Sequence, residues 1–127
     1  MVVAIEMDKQ APGGGWGFAE FARRNGDYAL ACVAAVVNEE NGRAQGMRIA
    51  AMGIADTALR LSRAEAALEG SDFSEAAVAA AVATVREDVD PMTDLAASAD
   101  YRRHLVGELA QDVLRDAWTR ACAGSPR

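Results

Sequence analysis

The longest unbroken run of apolar residues covers positions 30–37, and a polar turn separates it from a second apolar stretch. Residues 38–42 end in Asn-Gly, a pair typical of tight hairpin turns. Apolar residues return within 43–53, at Met47 and Met52 among others. The pattern predicts two antiparallel strands joined by this turn. An Ala-rich run also fits a buried helix, but the β-branched valines favour the strand. An unbroken apolar run further indicates that both faces of the first strand are covered.

The residues before this hairpin mix strand and turn patterns. Residues 2–7 predict a short strand, and the Gln-Ala-Pro-Gly-Gly-Gly stretch at 10–15 predicts a flexible connection. This stretch lacks the Gly-Lys-Ser/Thr ending of a phosphate-binding loop. Residues 16–24 fit a strand or a helix, because their aromatic residues alternate but also recur at helical spacing. Residues 21–28 are dense in polar and aromatic groups and lead into the hairpin, so they are the best candidate for a site.

Three helices are predicted after the hairpin. Ser62 and Glu65 form a capping box at the start of the first helix, and Gly70 provides a left-handed end. Asp72 and Ser74 can cap the second helix, in which valines recur at helical spacing up to an Asp-Pro pair. Each helix therefore has its own start and stop signals.

The third predicted helix has a wide apolar stripe over residues 105–121, opposite a charged face. Ser98 can cap its start, and Gly124 and Pro126 can end it. Strands therefore come first in the chain and helices last. This order predicts an α+β fold, a two-layer sandwich of a small antiparallel sheet packed by two or three helices.

Length and composition restrict the partners. The 127 residues amount to a single domain, 1–127, with strands and turns expected mainly in 1–61 and helices mainly in 62–123. A net charge of −6 argues against nucleic acid and against an anionic membrane as partners. No apolar stretch reaches the length of a membrane span, and no signal-peptide pattern opens the sequence. These features predict a reduced, cytoplasmic setting.

Candidate chemical groups are sparse. Two distant cysteines and one histidine, His104, offer no metal-ligand spacing. His104 is interpreted as a residue on or beside a helix surface, and the basic pairs Arg23-Arg24 and Arg102-Arg103 as solvated surface. An apolar pocket is the alternative to acid–base chemistry. Its candidate lining residues are Trp16, Phe18, Phe21 and Met52.

Several short motifs occur in an order that resembles a known family. They are, in chain order, Phe21-Ala-Arg-Arg-Asn-Gly-Asp-Tyr-Ala-Leu30, Val33-Ala-Ala35, Gly42, Gly53, Arg63-Ala-Glu-Ala-Ala-Leu-Glu-Gly70, Asp90-Pro91 with Asp94, and Ser98-Ala-Asp-Tyr-Arg-Arg-His-Leu105. The ordered set resembles the C-terminal domain of the flavin (medium) subunit of carbon monoxide dehydrogenase and xanthine dehydrogenase-type molybdenum hydroxylases. The resemblance covers about residues 2–118 and implies the same α+β sandwich.

In that family a separate, preceding domain with glycine-rich loops holds most of the flavin, and the C-terminal domain closes over the flavin region. By position, the resemblance assigns four residues to the isoalloxazine side: Arg23, Arg24, Asp27 and Tyr28. The glycine-rich diphosphate cradle that FAD requires is not found in this sequence, which starts near the family's domain border. We therefore expect no tight cofactor binding and no redox chemistry by this chain alone, and FAD only together with a partner domain.

Three functions fit these observations. The first is a stand-alone or split C-terminal-domain homologue that works beside a flavin domain and a molybdenum subunit of an oxidoreductase. The second is a stand-alone pocket enzyme, such as a cyclase in natural-product biosynthesis, that positions a hydrophobic small molecule while a homodimer covers the sheet. The third is a non-catalytic binding or assembly module. Whether the chain is an enzyme stays open at this point.

Overall fold

The computed structural model describes residues 1–7, 9 and 13–124, and within them the chain forms one antiparallel sheet and three helices. The strands are β1 (Gly14–Phe21), β2 (Ala31–Glu40), β3 (Arg43–Met52) and β4 (Leu59–Arg60), and the helices are α1 (Ser62–Leu68), α2 (Glu75–Asp88) and α3 (Ala99–Gly124). The strands lie side by side in chain order. Helix α3 packs on β1 and β2, α1 packs on β3, and α2 packs on both other helices. The predicted α+β sandwich is confirmed.

The hairpin predicted from the apolar run is confirmed, and the buried-helix alternative is wrong. β2 and β3 pair along their length, as far as Glu40 opposite Arg43. The chain reverses at Asn41 and Gly42, whose φ values of 54° and 77° are those of the hairpin turn that Asn-Gly favours. The predicted turn over residues 38–42 is too long, because its first three residues continue β2.

β1 resolves the ambiguous stretch at 16–24 in favour of a strand, and it begins inside the predicted glycine-rich connection. A Cβ atom added to Gly15 would lie 1.9 Å from the carbonyl oxygen of Ala117, and one added to Gly17 would lie 2.2 Å from that of Val113. Both glycines therefore allow the backbones of β1 and α3 to approach closely. Their role is packing, not flexibility.

Two other predictions concern the start of the chain. Residues 10–12 of the predicted connection lie outside the described residues. The strand predicted over 2–7 is wrong, because these residues are exposed and join no strand of the described sheet. A short strand is stable only when it pairs with neighbours and buries one face, and this stretch does neither here.

The helices begin and end near the predicted residues, but the capping box is wrong. Leu61 occupies the N-cap position of α1 without a side-chain hydrogen bond, and Ser62 is already helical. Glu65 contacts the sheet instead of the helix start. Ser74 and Ser98 cap α2 and α3 as predicted, since each accepts a hydrogen bond from the amide three residues further on.

The core lies between one face of the sheet and the helices. Phe73, just before α2, stacks on Trp118 of α3 with 4.8 Å between the ring centroids. Fully buried side chains come from both layers and include Val33, Val37, Met47, Ile49, Leu68, Val85, Val106, Val113 and Leu114. The opposite face of the sheet has no comparable cover among the described residues, and the candidate site begins there.

Candidate functional site

The face of the sheet that points away from the helices is apolar and exposed. Strand alternation places Trp16 and Phe18 of β1, Val36 of β2 and Met52 of β3 on this face. Their side chains are 50%, 55%, 38% and 50% exposed, in that order. The helices thus cover one face of the first hairpin strand, and the expectation that something else covers the other face stays a prediction. We call this surface the open face, defined by Trp16, Phe18, Ala34, Val36, Ala50 and Met52.

An open hollow of about 290 Å³ lies on the open face. It is lined by Ala34, Val36 and Ala50, with Arg48 and Arg60 at its margin. Apolar walls with a few polar groups are typical of surfaces that take up a ligand or a partner's side chain. The hollow is therefore the most ligand-like feature of the sheet.

The predicted pocket residues are only partly brought together. Trp16, Phe18 and Met52 share the open face. Phe21 pairs with Ala31, which is fully buried beneath the helices, so Phe21 lies on the other side of β1. Phe21 instead lines a separate concavity of about 330 Å³ with the loop that follows β1.

The loop between β1 and β2 brings together the four residues that the resemblance assigns to the flavin side. Arg23, Arg24, Asp27 and Tyr28 line one concavity of about 360 Å³, together with Leu30 at the start of β2. The four side chains are exposed, and that of Tyr28 is almost completely so. They are therefore available to a neighbouring molecule.

Arg102 of α3 anchors this loop, and sequence reasoning missed it. Its side chain is 9% exposed, and Nη1 donates to the carbonyl oxygens of Leu30 at 2.7 Å and Gly53 at 2.9 Å. Nη2 donates to Asp94 Oδ2 at 2.8 Å. The prediction of a solvated surface is wrong for Arg102, because these acceptors satisfy its guanidinium inside the fold. The sequence signal that could have indicated its burial is its position, one helical turn before the apolar stripe of α3.

Structural contacts and burial shift the pKa of two titratable groups near these surfaces, Asp94 and Cys32. Backbone hydrogen bonds, first from Ala97, and the Arg102 guanidinium hold the pKa of Asp94 below its ordinary range. Burial, with a smaller effect of Glu20, raises the pKa of the Cys32 thiol, which makes Cys32 a poor nucleophile. Within the described ranges, no group of three or more His, Cys, Asp and Glu residues could hold a metal ion.

Arginines border the open face. The Arg120 guanidinium lies over the Trp16 ring, with 4.1 Å between Cζ and the ring centroid. Arg60 donates from Nε and Nη2 to the two carboxylate oxygens of Glu65, at 3.0 and 2.9 Å. Arg48 lies in the same cross-strand row as Trp16. Of these arginines, Arg60 pairs with Glu65 and Arg120 with Asp116, and the described residues show no salt bridge for Arg48. Glu20 lies on the same face, in the cross-strand row of Met52.

The fold and these surfaces define a class of protein: a two-layer α+β domain whose helices cover one face of the sheet, while the other face is apolar and a polar loop follows the first strand. The chain belongs to the CO dehydrogenase flavoprotein C-terminal domain family, whose pattern matches residues 16–117. The family resemblance predicted from the sequence is confirmed.

Curated relatives are components of larger assemblies by name. The nicotine 6-hydroxylase medium subunit of Paenarthrobacter nicotinovorans is 39% identical over 106 residues, which cover 84% of this chain and 38% of that protein. The carbon monoxide dehydrogenase medium chain of Hydrogenophaga pseudoflava is 33% identical over 123 residues, which cover 97% of this chain and 42% of that protein. The chain thus spans about two fifths of the length of these relatives.

Solved structures share the fold. Carbon monoxide dehydrogenase from Hydrogenophaga pseudoflava, in a form without the Mo-pyranopterin moiety of its molybdenum cofactor, matches with a TM-score of 0.85 and 38% identity. Quinoline 2-oxidoreductase from Pseudomonas putida 86 matches with a TM-score of 0.80 and 34% identity. Each match covers 87% of this chain and 39% of the other. None of the helices described here has the length and apolar character needed to cross a membrane.

Proposed function

We propose that the chain acts as the C-terminal domain of the flavin-carrying medium subunit of a molybdenum hydroxylase, within one polypeptide or as a split piece. In this proposal a neighbouring domain holds FAD, and this chain closes over part of the flavin. The observation that carries the proposal is the convergence of Arg23, Arg24, Asp27 and Tyr28 on one concavity. These are the residues that the family resemblance assigns to the flavin side.

The concavity suits one edge of a flavin ring better than a whole dinucleotide. An exposed phenol ring at Tyr28 can stack on an aromatic system, and the guanidiniums of Arg23 and Arg24 can donate to ring carbonyl oxygens. The loop at 22–29 contains no glycine-rich turn leading into a helix, which a diphosphate cradle needs. A bound flavin would supply the electron transfer, and the side chains of this loop would orient its ring and exclude water.

We also infer that the partners are proteins of the same kind of complex: a flavin-binding domain and a molybdenum subunit. The names of the relatives as medium chains or subunits support this inference. The pocket-enzyme alternative is not favoured, because the hollow on the open face offers no free catalytic carboxylate. The hollow on the open face contains one carboxylate, that of Glu65, and this group is already bound to Arg60 and the Ile49 amide.

The test is co-expression with the flavin-binding polypeptide of the source organism, followed by FAD titration. We expect the complex to retain FAD and the 127-residue chain alone to retain none. Tyr28→Ala should raise the fluorescence of the bound flavin, because a stacked phenol ring quenches it by electron transfer, and Tyr28→Trp, whose indole ring also donates electrons, should retain most of the quenching. Arg115→Ala is the control, since Arg115 lies on α3 and pairs with Glu75 of α2.

Two results would contradict the proposal. One is stoichiometric, tight FAD in the purified chain without a partner. The other is the absence of any complex with the flavin-binding polypeptide.

A further inference from the structure

The geometry points to the open face as the docking surface for the flavin-binding polypeptide, through an apolar patch of that partner bordered by carboxylates. This inference rests on the proposed function and identifies the surface through which the complex forms. It concerns the sheet, whereas the flavin contact was assigned to the loop between β1 and β2.

The open face has the composition of the centre of a protein interface. Trp16, Phe18 and Met52 each expose about half of their side chain. Ala34 and Ala50 leave a hollow of about 290 Å³ that a partner side chain can fill. Single exposed apolar residues are ordinary on protein surfaces, but a contiguous apolar patch marks an interaction site.

Side chains at the patch are held in place before any partner binds. The Arg120 guanidinium covers the Trp16 ring, and both oxygens of Glu65 hold Arg60. Groups that are already ordered lose less conformational entropy on association. Tryptophan and arginine are also the residues that most often dominate interface energies. The open face is therefore prepared for tight contact.

Arg48, for which the described residues show no salt bridge, favours a carboxylate on the partner surface. Arg48 lies in the row of Trp16, and Arg60 pairs with Ala50 of the hollow. Carboxylates of a different polypeptide can pair with Arg48 at the edge of the apolar contact. The occupant that fits is thus a protein with an apolar centre and carboxylates near Arg48.

The relatives indicate how large this neighbour is. The chain aligns with 42% of the Hydrogenophaga pseudoflava medium chain, so more than half of such a subunit lies outside the aligned part. Helices α1 and α3 already bury the other face of the sheet. Among the described residues, the open face is the apolar sheet surface left for that remainder.

The experiment measures binding of the 127-residue chain to the flavin-binding polypeptide by calorimetry. We expect Phe18→Ser and Arg48→Glu each to raise the Kd by about tenfold or more. The control Arg115→Glu reverses a charge on the helical layer and should change the Kd by less than about twofold. Circular dichroism of each variant checks the fold, which exposed substitutions leave intact. In a Trp118→Phe background, emission of Trp16 should shift to shorter wavelength when the partner covers it.

Each outcome decides one claim. A complex whose Kd is unchanged by Phe18→Ser and Arg48→Glu overturns the docking surface and leaves the proposed function standing. No complex at all overturns the proposed function. Light scattering that shows a dimer of the chain alone, dissociated by Phe18→Ser, would replace the partner by a second copy. Binding of anionic phospholipid vesicles that is lost in Arg48→Glu would replace it by a membrane.

Discussion

The carboxylate of Glu65 on α1 accepts a hydrogen bond from the backbone N–H of Ile49 on β3, with 2.8 Å between Oε1 and the amide nitrogen. β4 has two residues, so most of the edge of β3 needs other acceptors. Glu69, one helical turn further on, accepts from the amides of Gly46 and Met47, both at 2.9 Å. Two carboxylates, one on α1 and one at its C-cap, thus complete the edge of the sheet where β4 stops.

The first prediction is that Glu65→Ala lowers the free energy of unfolding by about 2 kcal/mol, because a buried amide loses its charged acceptor. Urea denaturation measures this change. Glu87→Ala is the control, since it removes only an exposed ion pair with Arg63, and it should change stability little. If the two substitutions lowered the free energy of unfolding equally, the Glu65 carboxylate at the edge of β3 would stabilise the fold no more than an exposed ion pair does.

The second prediction concerns pH. Burial alone would raise the pKa of Glu65, but hydrogen bonds from Arg60 and Ile49 and the charge of Arg60 outweigh it and lower the pKa below its ordinary 4.5. Because the folded state has the lower pKa, this contribution to stability is complete at neutral pH and is lost as the pH falls through the folded value. Glu65→Gln still offers an oxygen to Ile49 but no charge to Arg60.

Glu65→Gln should therefore lower Tm at pH 7 and flatten its decline between about pH 5 and pH 3. Thermal unfolding across this range, compared with the unsubstituted chain, measures both effects. Parallel Tm curves for the two proteins would contradict the assignment of this pH dependence to Glu65.

The strands and helices could be predicted because their signals are local. The Asn41-Gly42 turn needs only the preference of two residues for left-handed φ, and the valines of α2 need only helical spacing. The spacing of Ser62 and Glu65 is equally local, yet the capping box does not form. The edge of β3 competes for the same carboxylate, and a local pattern carries no information about that edge.

The site was predictable in part for the same reason. The resemblance places the loop residues together because they are neighbours in sequence. The separation of Phe21 from Trp16 depends on strand alternation, which the ambiguous stretch at 16–24 could not establish. Burial of Arg102 depends on carbonyl groups of Leu30 and Gly53, distant in sequence. Glycine occurs both in flexible connections and where two backbones are in close contact. The sequence therefore predicted a connection at Gly15, where the structure has a close contact with α3.

The third prediction tests that close contact. Gly17→Ala places a Cβ 2.2 Å from the Val113 carbonyl oxygen, so β1 and α3 must move apart. We expect a loss of about 2–3 kcal/mol in the free energy of unfolding. Gly124→Ala is the control at the looser end of the same contact, where the nearest atom, Gly13 Cα, is 3.2 Å away. If β1 and α3 were not in close contact, Gly17→Ala would instead be tolerated or would increase stability.

The fourth prediction is that Arg102 determines the order of the loop between β1 and β2. Arg102→Ala leaves the carbonyls of Leu30 and Gly53 without their donor, and the expected loss is about 2–4 kcal/mol. Arg103→Ala is the matched control, because the next residue along α3 pairs only with exposed carboxylates in the described structure and should change stability little.

The measurement that separates loop anchoring from general destabilisation is amide hydrogen exchange. The Leu30 N–H, which donates to the Phe21 carbonyl oxygen at 2.7 Å, closes the loop. The exchange is measured under conditions where the Arg102→Ala variant and the unsubstituted chain are both folded. The Leu30 amide should then exchange faster in the variant, while the amides of α2 should remain protected relative to one another as in the unsubstituted chain. Arg102→Lys retains one donor group, so its exchange rate at the Leu30 amide should lie between those of Arg102→Ala and the unsubstituted chain. Uniform loss of protection across the sheet and helices would mean that Arg102 supports the fold as a whole and not this loop.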